Sequence, residues 1–162
     1  DPTPTLSIAL PEIELEQIEL NLNLGSADLG TLKAKSIQAD LALGNLYADE
    51  LQTGQLDATL ALGSAELGTV QAERVTIENA QGDVTISRLV GASQVQVTDQ
   101  LGNIALTLGE KGDSYSVQAA CGLGSITVSG AKQASPYSAN SKAANAVILD
   151  AALGDITLNF EE

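Results

Sequence analysis

Apolar residues recur along this chain in two spacings at once, two apart within short runs and nineteen apart between runs. Glycines mark the longer period: Gly25, Gly44, Gly63, Gly82 and Gly102 are separated by 19, 19, 19 and 20 residues. Aligned on them, the units read LGSADLGTLKAKSIQADLA from Leu24, LGNLYADELQTGQLDATLA from Leu43, LGSAELGTVQAERVTIENA from Leu62 and QGDVTISRLVGASQVQVTDQ from Gln81. One period earlier, TLSIALPEIELEQIELNLN from Thr5 lacks the glycine and keeps the apolar columns. Two columns, Ile8, Ala27, Leu46, Ala65, Val84, Ile104 and Leu10, Leu29, Ala48, Leu67, Ile86, Leu106, lie two residues apart, which is strand spacing because alternate side chains point to opposite faces. A second strand follows in each unit, with inward pairs Ile18 and Leu20, Ile37 and Ala39, Leu56 and Ala58, Val75 and Ile77, Val95 and Val97. Between the two strands a single apolar column, Ile13, Leu32, Leu51, Val70 and Leu89, turns a corner.

One such coil cannot bury its apolar face alone, so the repeat predicts stacking. Coils about 4.8 Å apart bring like columns into register and build a ladder core of Leu, Ile and Val. The pattern predicts an all-β chain, a parallel β-solenoid (single-stranded β-helix) of about seven coils with roughly 19 residues each. Amphipathic helices fit poorly, because a glycine every nineteen residues and runs such as Val75-Thr76-Ile77 and Val84-Thr85-Ile86 favour strands. Each of Gly25, Gly44, Gly63, Gly82, Gly102, Gly124 and Gly154 precedes a small polar residue, Ser26, Asn45, Ser64, Asp83, Asn103, Ser125 or Asp155. These glycines are expected to be structural, making turns at positive φ. No Lys or helix start follows them, so they do not form a phosphate-binding loop.

Residues 1–5, with two Pro-Thr pairs, read as an extended linker, and residues 6–162 as one solenoid domain. The period loosens after Leu108, at Gly109–Asp113. A strand resumes at Ser114–Gln118, followed by a coil segment at Leu123–Val128. Residues 130–146, rich in Ala, Ser, Asn and Lys, read as a loop insertion before a closing strand ending at Phe160. Open solenoid ends must be capped, and Glu12, Glu14, Glu16 and Glu19 are expected to guard the first coil against end-to-end stacking.

Composition narrows the chemistry. Among 162 residues there is no His, Met or Trp and one Cys, so Ser-His-Asp and Cys-His nucleophiles, His-ligated zinc and cysteine-ligated clusters are excluded. With 21 acidic and 7 basic residues the net charge is −14, which repels phosphate backbones, and nucleic acid is not an expected partner. No apolar run is long enough to span a bilayer. Cys121, in the context Ala-Ala-Cys-Gly-Leu, is expected to be a small core residue. Tyr47, Tyr115 and Tyr137 are too scattered for a recognition stripe, and Lys33, Lys35, Arg74 and Arg88 fall at corners or edges, where they offset carboxylate repulsion.

Carboxylates are the only acid-base groups present in number. Stacking is expected to place Glu19, Asp40, Asp57 and Glu78 on a diagonal of the outward second-strand face, as an acidic contact patch with neighbours roughly 5 to 8 Å apart. Carboxylates at such separations can serve glycoside hydrolysis. No aromatic platform or basic residue accompanies them, and the glycine-rich aspartate nonapeptide of calcium-binding β-rolls is absent, so no catalytic residue, metal or cofactor is assigned.

The segments YSVQAACGLGSITVSG (Tyr115–Gly130) and AALGDITLNF (Ala151–Phe160), after coils such as NAQGDVTISRL, resemble bacterial adhesin-type β-strand-repeat domains of unknown function. The residues that carry the likeness are Cys121, Gly122, Gly124, Ser125, Ile126 and Thr127, then Gly154, Asp155, Ile156 and Thr157, and it extends over residues 5–162. Ala151-Ala152 stands where a second Cys-Gly would be expected. The resemblance implies a right-handed solenoid, no established catalytic residues, and a place in the cell envelope or outside the cell behind an anchor upstream of Asp1. Three functions follow in descending order: a non-catalytic interaction domain for a surface protein, glycan or cell-wall component; a scaffold self-associating through its solenoid ends; and a polysaccharide-acting enzyme.

Overall fold

The computed structural model describes Leu10 and residues 13–161. The Pro-Thr lead-in, Ile8 and Glu12 lie outside the described residues. The regular half consists of β1 (Leu15–Leu22), β2 (Ala27–Asp28), β3 (Thr31–Leu43), β4 (Leu46–Leu62), β5 (Ala65–Gln81), β6 (Val84–Val90), β7 (Gln94–Leu101) and β8 (Ile104–Leu108). After a short 3-10 turn at Gly112–Ser114 come β9 (Tyr115–Leu123), β10 (Ile126–Val128), β11 (Ala131–Gln133), β12 (Tyr137–Ala139), β13 (Asn145–Leu153) and β14 (Ile156–Phe160). All fourteen strands belong to one sheet wrapped around its own core.

Nineteen-residue periodicity becomes contact because each residue pairs with its equivalent in the next coil. Leu46 faces Ala65, Leu51 faces Val70 and Leu56 faces Val75, all in parallel register. In the segment after each turn glycine, the inward column runs Ala27, Leu46, Ala65, Val84, Ile104, Ile156, Ile126. In the second segment it runs Ile18, Ile37, Leu56, Val75, Val95, Val147, Val117. Apart from Ile18, at the start of the stack, these residues are buried, as are the corner residues Leu51, Val70, Leu89 and Leu108. With almost no aromatic residues, the core is filled by aliphatic ladders. The exception is Tyr115, fully buried, with its ring centroid 6.2 Å from that of Phe160 and its hydroxyl 3.0 Å from both the Ala92 carbonyl and Glu110.

The chain is all-β with solenoid-like stacking, but it is not an all-parallel single-stranded helix of about seven successive coils. The sheet is mixed and its coils are stacked out of sequence order. The coil of β9 and β10 does not rest on that of β7 and β8. Instead β13 pairs with β7 on one side and β9 on the other, while β14 lies between β8 and β10. The segment expected to close the chain at the end of the stack is thus wedged inside it. Residues 130–146, expected as a loop, contain β11 and β12, which run antiparallel to β10 and β9 and form the last layer. A parallel coil always leaves a further edge of unpaired N–H and C=O groups, and reversing chain direction lets short strands terminate that edge.

Candidate functional site

The turns hold the coils in register. Gly44, Gly63, Gly82, Gly102, Gly124 and Gly154 all have positive φ, from 128° at Gly82 to 158° at Gly102. Gly63 shows why no other residue serves: a Cβ there would run into the carbonyl group of Gly44, one coil away. The polar residue after each glycine is equally constrained. Its side-chain oxygen accepts a hydrogen bond from the backbone N–H of the equivalent residue in the next coil, from Asn45 to Ser26 (3.0 Å), Ser64 to Asn45 (2.8 Å), Asp83 to Ser64 (3.0 Å) and Asn103 to Asp83 (2.8 Å). The ladder then follows the spatial order, with the Asp155 N–H donating to Asn103 (2.8 Å) and that of Ser125 to Asp155 (2.7 Å). The two bonds from Ser125 hold the Asp155 carboxyl below its ordinary range.

The four carboxylates of the expected patch occupy two adjacent outward columns. Glu19, Gln38, Asp57 and Thr76 form one; Asn21, Asp40, Thr59 and Glu78 form the other. Within each column a neutral residue separates the acids, leaving like charges two strand spacings apart, about 9.6 Å. Neutral amides also serve them along the strand: Asn21 donates to Glu19 (3.1 Å), Gln38 to Asp40 (3.2 Å) and Gln55 to Asp57 (2.7 Å). The result is a dispersed acidic face without a close carboxylate pair. Cations lie elsewhere: Lys35 reaches Glu16 at 2.7 Å, Lys33 reaches Glu14 at 3.9 Å, and Arg88 grips Glu161 through Nε at 2.8 and 3.0 Å. Thus Glu14 and Glu16, expected as end guards, pair with the next coil. Among the described residues no group of three or more His, Cys, Asp or Glu is placed to hold a metal. A groove over the first-segment strands is open to solvent and lined by Asp28, Tyr47, Asp49, Glu66, Thr85 and Ser87.

One inward column carries polar groups that the sequence pattern did not single out. It runs Leu41, Leu60, Asn79, Asp99, Ala151, Cys121, and Asn79 and Asp99 are almost wholly buried. Asn79 Nδ2 lies 3.4 Å from Asp99 Oδ2, and the Leu101 N–H donates to Oδ1 at 3.1 Å. Burial, opposed by these hydrogen bonds, raises the Asp99 carboxyl to about 6. A signal for it exists in the sequence, since Asp99 sits twenty residues after Asn79 and thirty-nine after Leu60 in a core column. Cys121 is a free thiol in the same column, buried beside Ala151.

The model of one family, Toastrack DUF4097, matches residues 5–159. No curated protein and no solved structure matches the chain.

Proposed function

The chain belongs to the Toastrack DUF4097 family, a domain of unknown function with a β-rich, repeat-like fold, and from that premise we propose that it is a non-catalytic interaction domain. It displays a rigid acidic surface to a surface protein, glycan or cell-wall component, outside the cell or in its envelope, in the manner of an adhesin. The observation that carries this reading is the dispersed acidic face: carboxylates alternate with neutral residues along both outward columns, on a sheet whose turns are hydrogen-bonded from coil to coil. Such a surface is built for multipoint contact. By strand spacing its acids stand about 8 Å or more apart, wider than the carboxyl pair of a retaining glycosidase and within the range of an inverting one, so the reading rests on their spread along the columns and not on spacing alone. No helix among the described residues is long and apolar enough to cross a membrane.

Self-assembly through the solenoid ends is the second reading. The antiparallel layer of β11 and β12 weighs against head-to-tail filaments, because one end presents reversed strands. Co-sedimentation of the purified domain with isolated envelope fractions tests the first reading. Binding that falls when Glu19, Asp40, Asp57 and Glu78 are changed together to Gln or Asn supports it; binding unchanged by that variant contradicts it.

A further inference from the structure

A row of leucines stands outside the core along the whole stack. Leu43, Leu62, Leu101, Leu153 and Leu123 pair in register with one another through Gln81, and Leu24 continues the row, since the Gly25 N–H donates to the Leu43 carbonyl. Their exposure runs from 43% at Leu43 and Leu153 to 71% at Leu123 and 78% at Leu24. Folding does not require leucine there, because Gln81 occupies the same place in the ladder with the same backbone pairing. The preceding residue is small in most coils, Ala42, Ala61, Ala80, Gly122 and Ala152. At strand spacing the seven positions extend over about 29 Å, the length of a helix of roughly 19 residues.

Charge selects the occupant. Asp40, Glu78 and Asp150 lie three residues before the ridge position of their coils, and Asp28 and Glu66 four residues after it. From five residues before each ridge position to four after it, no coil contains a Lys or Arg. Lys132, opposite Thr127 at the capped end, is close enough to Asp155 to help lower its carboxyl. An apolar strip bordered on both sides by carboxylates repels its own copy, at −14 per chain, and repels anionic lipid. We propose that the leucine ridge docks a cationic amphipathic protein segment, one whose apolar stripe covers the leucines while flanking Lys and Arg meet the acidic columns. This deepens the interaction-domain reading and rests on it, assigning the contact line and the chemistry of the partner.

A synthetic 18-residue Leu/Lys amphipathic helix, labelled and titrated by fluorescence anisotropy at physiological salt, tests it. The comparison variant is Leu43→Gln with Leu62→Gln and Leu101→Gln, the residue that position 81 already accommodates, with its fold checked by circular dichroism. The Leu/Lys peptide is expected to bind wild type about tenfold or more tightly than the variant. A Ser/Lys peptide of equal charge is expected to bind both weakly and equally. Equal affinity of the Leu/Lys peptide for both proteins, abolished by salt, overturns the ridge and leaves the acidic-surface reading standing. No binding of the Leu/Lys peptide to wild type overturns the ridge, and the acidic-surface reading then stands or falls on the co-sedimentation test. A wild-type dimer in sedimentation that the variant abolishes assigns the ridge to a second copy instead and overturns the cationic partner.

Discussion

From Leu15 to Leu101 sequence order and spatial order coincide, whereas from Tyr115 to Phe160 they do not. In the first region each coil rests on its predecessor, with like residues in like columns. In the second, β9 and β10 form the far layer, β11 and β12 reverse across it, and β13 and β14 return to fill the gap. Repetition explains how a coil propagates and cannot explain how it stops, because every parallel coil presents the same unsatisfied edge as the last. Here the far coil ends under two three-residue strands of opposite direction, β11 and β12, before the chain comes back to fill the layer it skipped.

The largest expected effect comes from the turn ladder shared by both regions. Gly63→Ala or Gly154→Ala places a Cβ against the carbonyl of the stacked glycine, and about 3 kcal/mol or more of stability is expected to be lost in urea unfolding. Gly25→Ala, in the first described turn, where a Cβ meets nothing within 4 Å among the described residues, is expected to lose only about 1 kcal/mol from its positive φ. Equal losses would show that backbone strain, not stacking, fixes these glycines. Next comes a direct contrast of regions. Leu56→Ala in the sequential part and Leu149→Ala in the wedged strand are both fully buried and flanked on both sides, so each is expected to cost about 2 to 5 kcal/mol. A much smaller loss at Leu149 would mean that β13 is loosely inserted.

Asp99 gives a smaller effect with a pH signature. Its folded-state carboxyl titrates near 6, above the ordinary 3.8, so between those values the folded state holds a proton that the unfolded chain has released. Stability from this group is therefore full below about pH 4 and declines as pH rises through 6. Asp99→Asn removes the buried charge, and at pH 7.5 it is expected to gain on the order of 1 kcal/mol over wild type, with the advantage shrinking toward pH 4. Thermal melts across pH 4–8 read this directly, and a pH-independent difference would refute it. The smallest effect is at Lys35→Ala, an exposed pair with Glu16, where no measurable change in Tm is expected.

The sequential region is legible in the sequence because its signals are local and repeated. The glycines from Gly25 to Gly102, the corner column and the paired inward columns each recur once per coil, so every unit repeats the message of its neighbours. The order of the second region is not legible, because Val95, Val117 and Val147 are equivalent in type and any of the three can stack on either of the others. Residues 130–146 lack apolar periodicity because β11 and β12 are only three residues long and at most partly buried. For the candidate site, sequence spacing places Glu19, Asp40, Asp57 and Glu78 on one face. The neutral residues that separate them, Gln38 and Thr59, and the amides that donate to them emerge only from the strand pairing, as does a ridge whose leucines, in the sequence, only mark where each repeat begins.

Cysteine cross-linking tests the spatial order of the coils most directly. In this stack Ala151 lies directly opposite Cys121, whereas Asp99 is two layers from Cys121, about 9.6 Å, beyond disulfide reach. Under mild oxidation Ala151→Cys is predicted to form an intramolecular disulfide with Cys121, and Asp99→Cys is predicted to leave Cys121 free. The reverse outcome, a bond from position 99 and none from position 151, would place the coil of β9 directly on that of β7 and contradict the account.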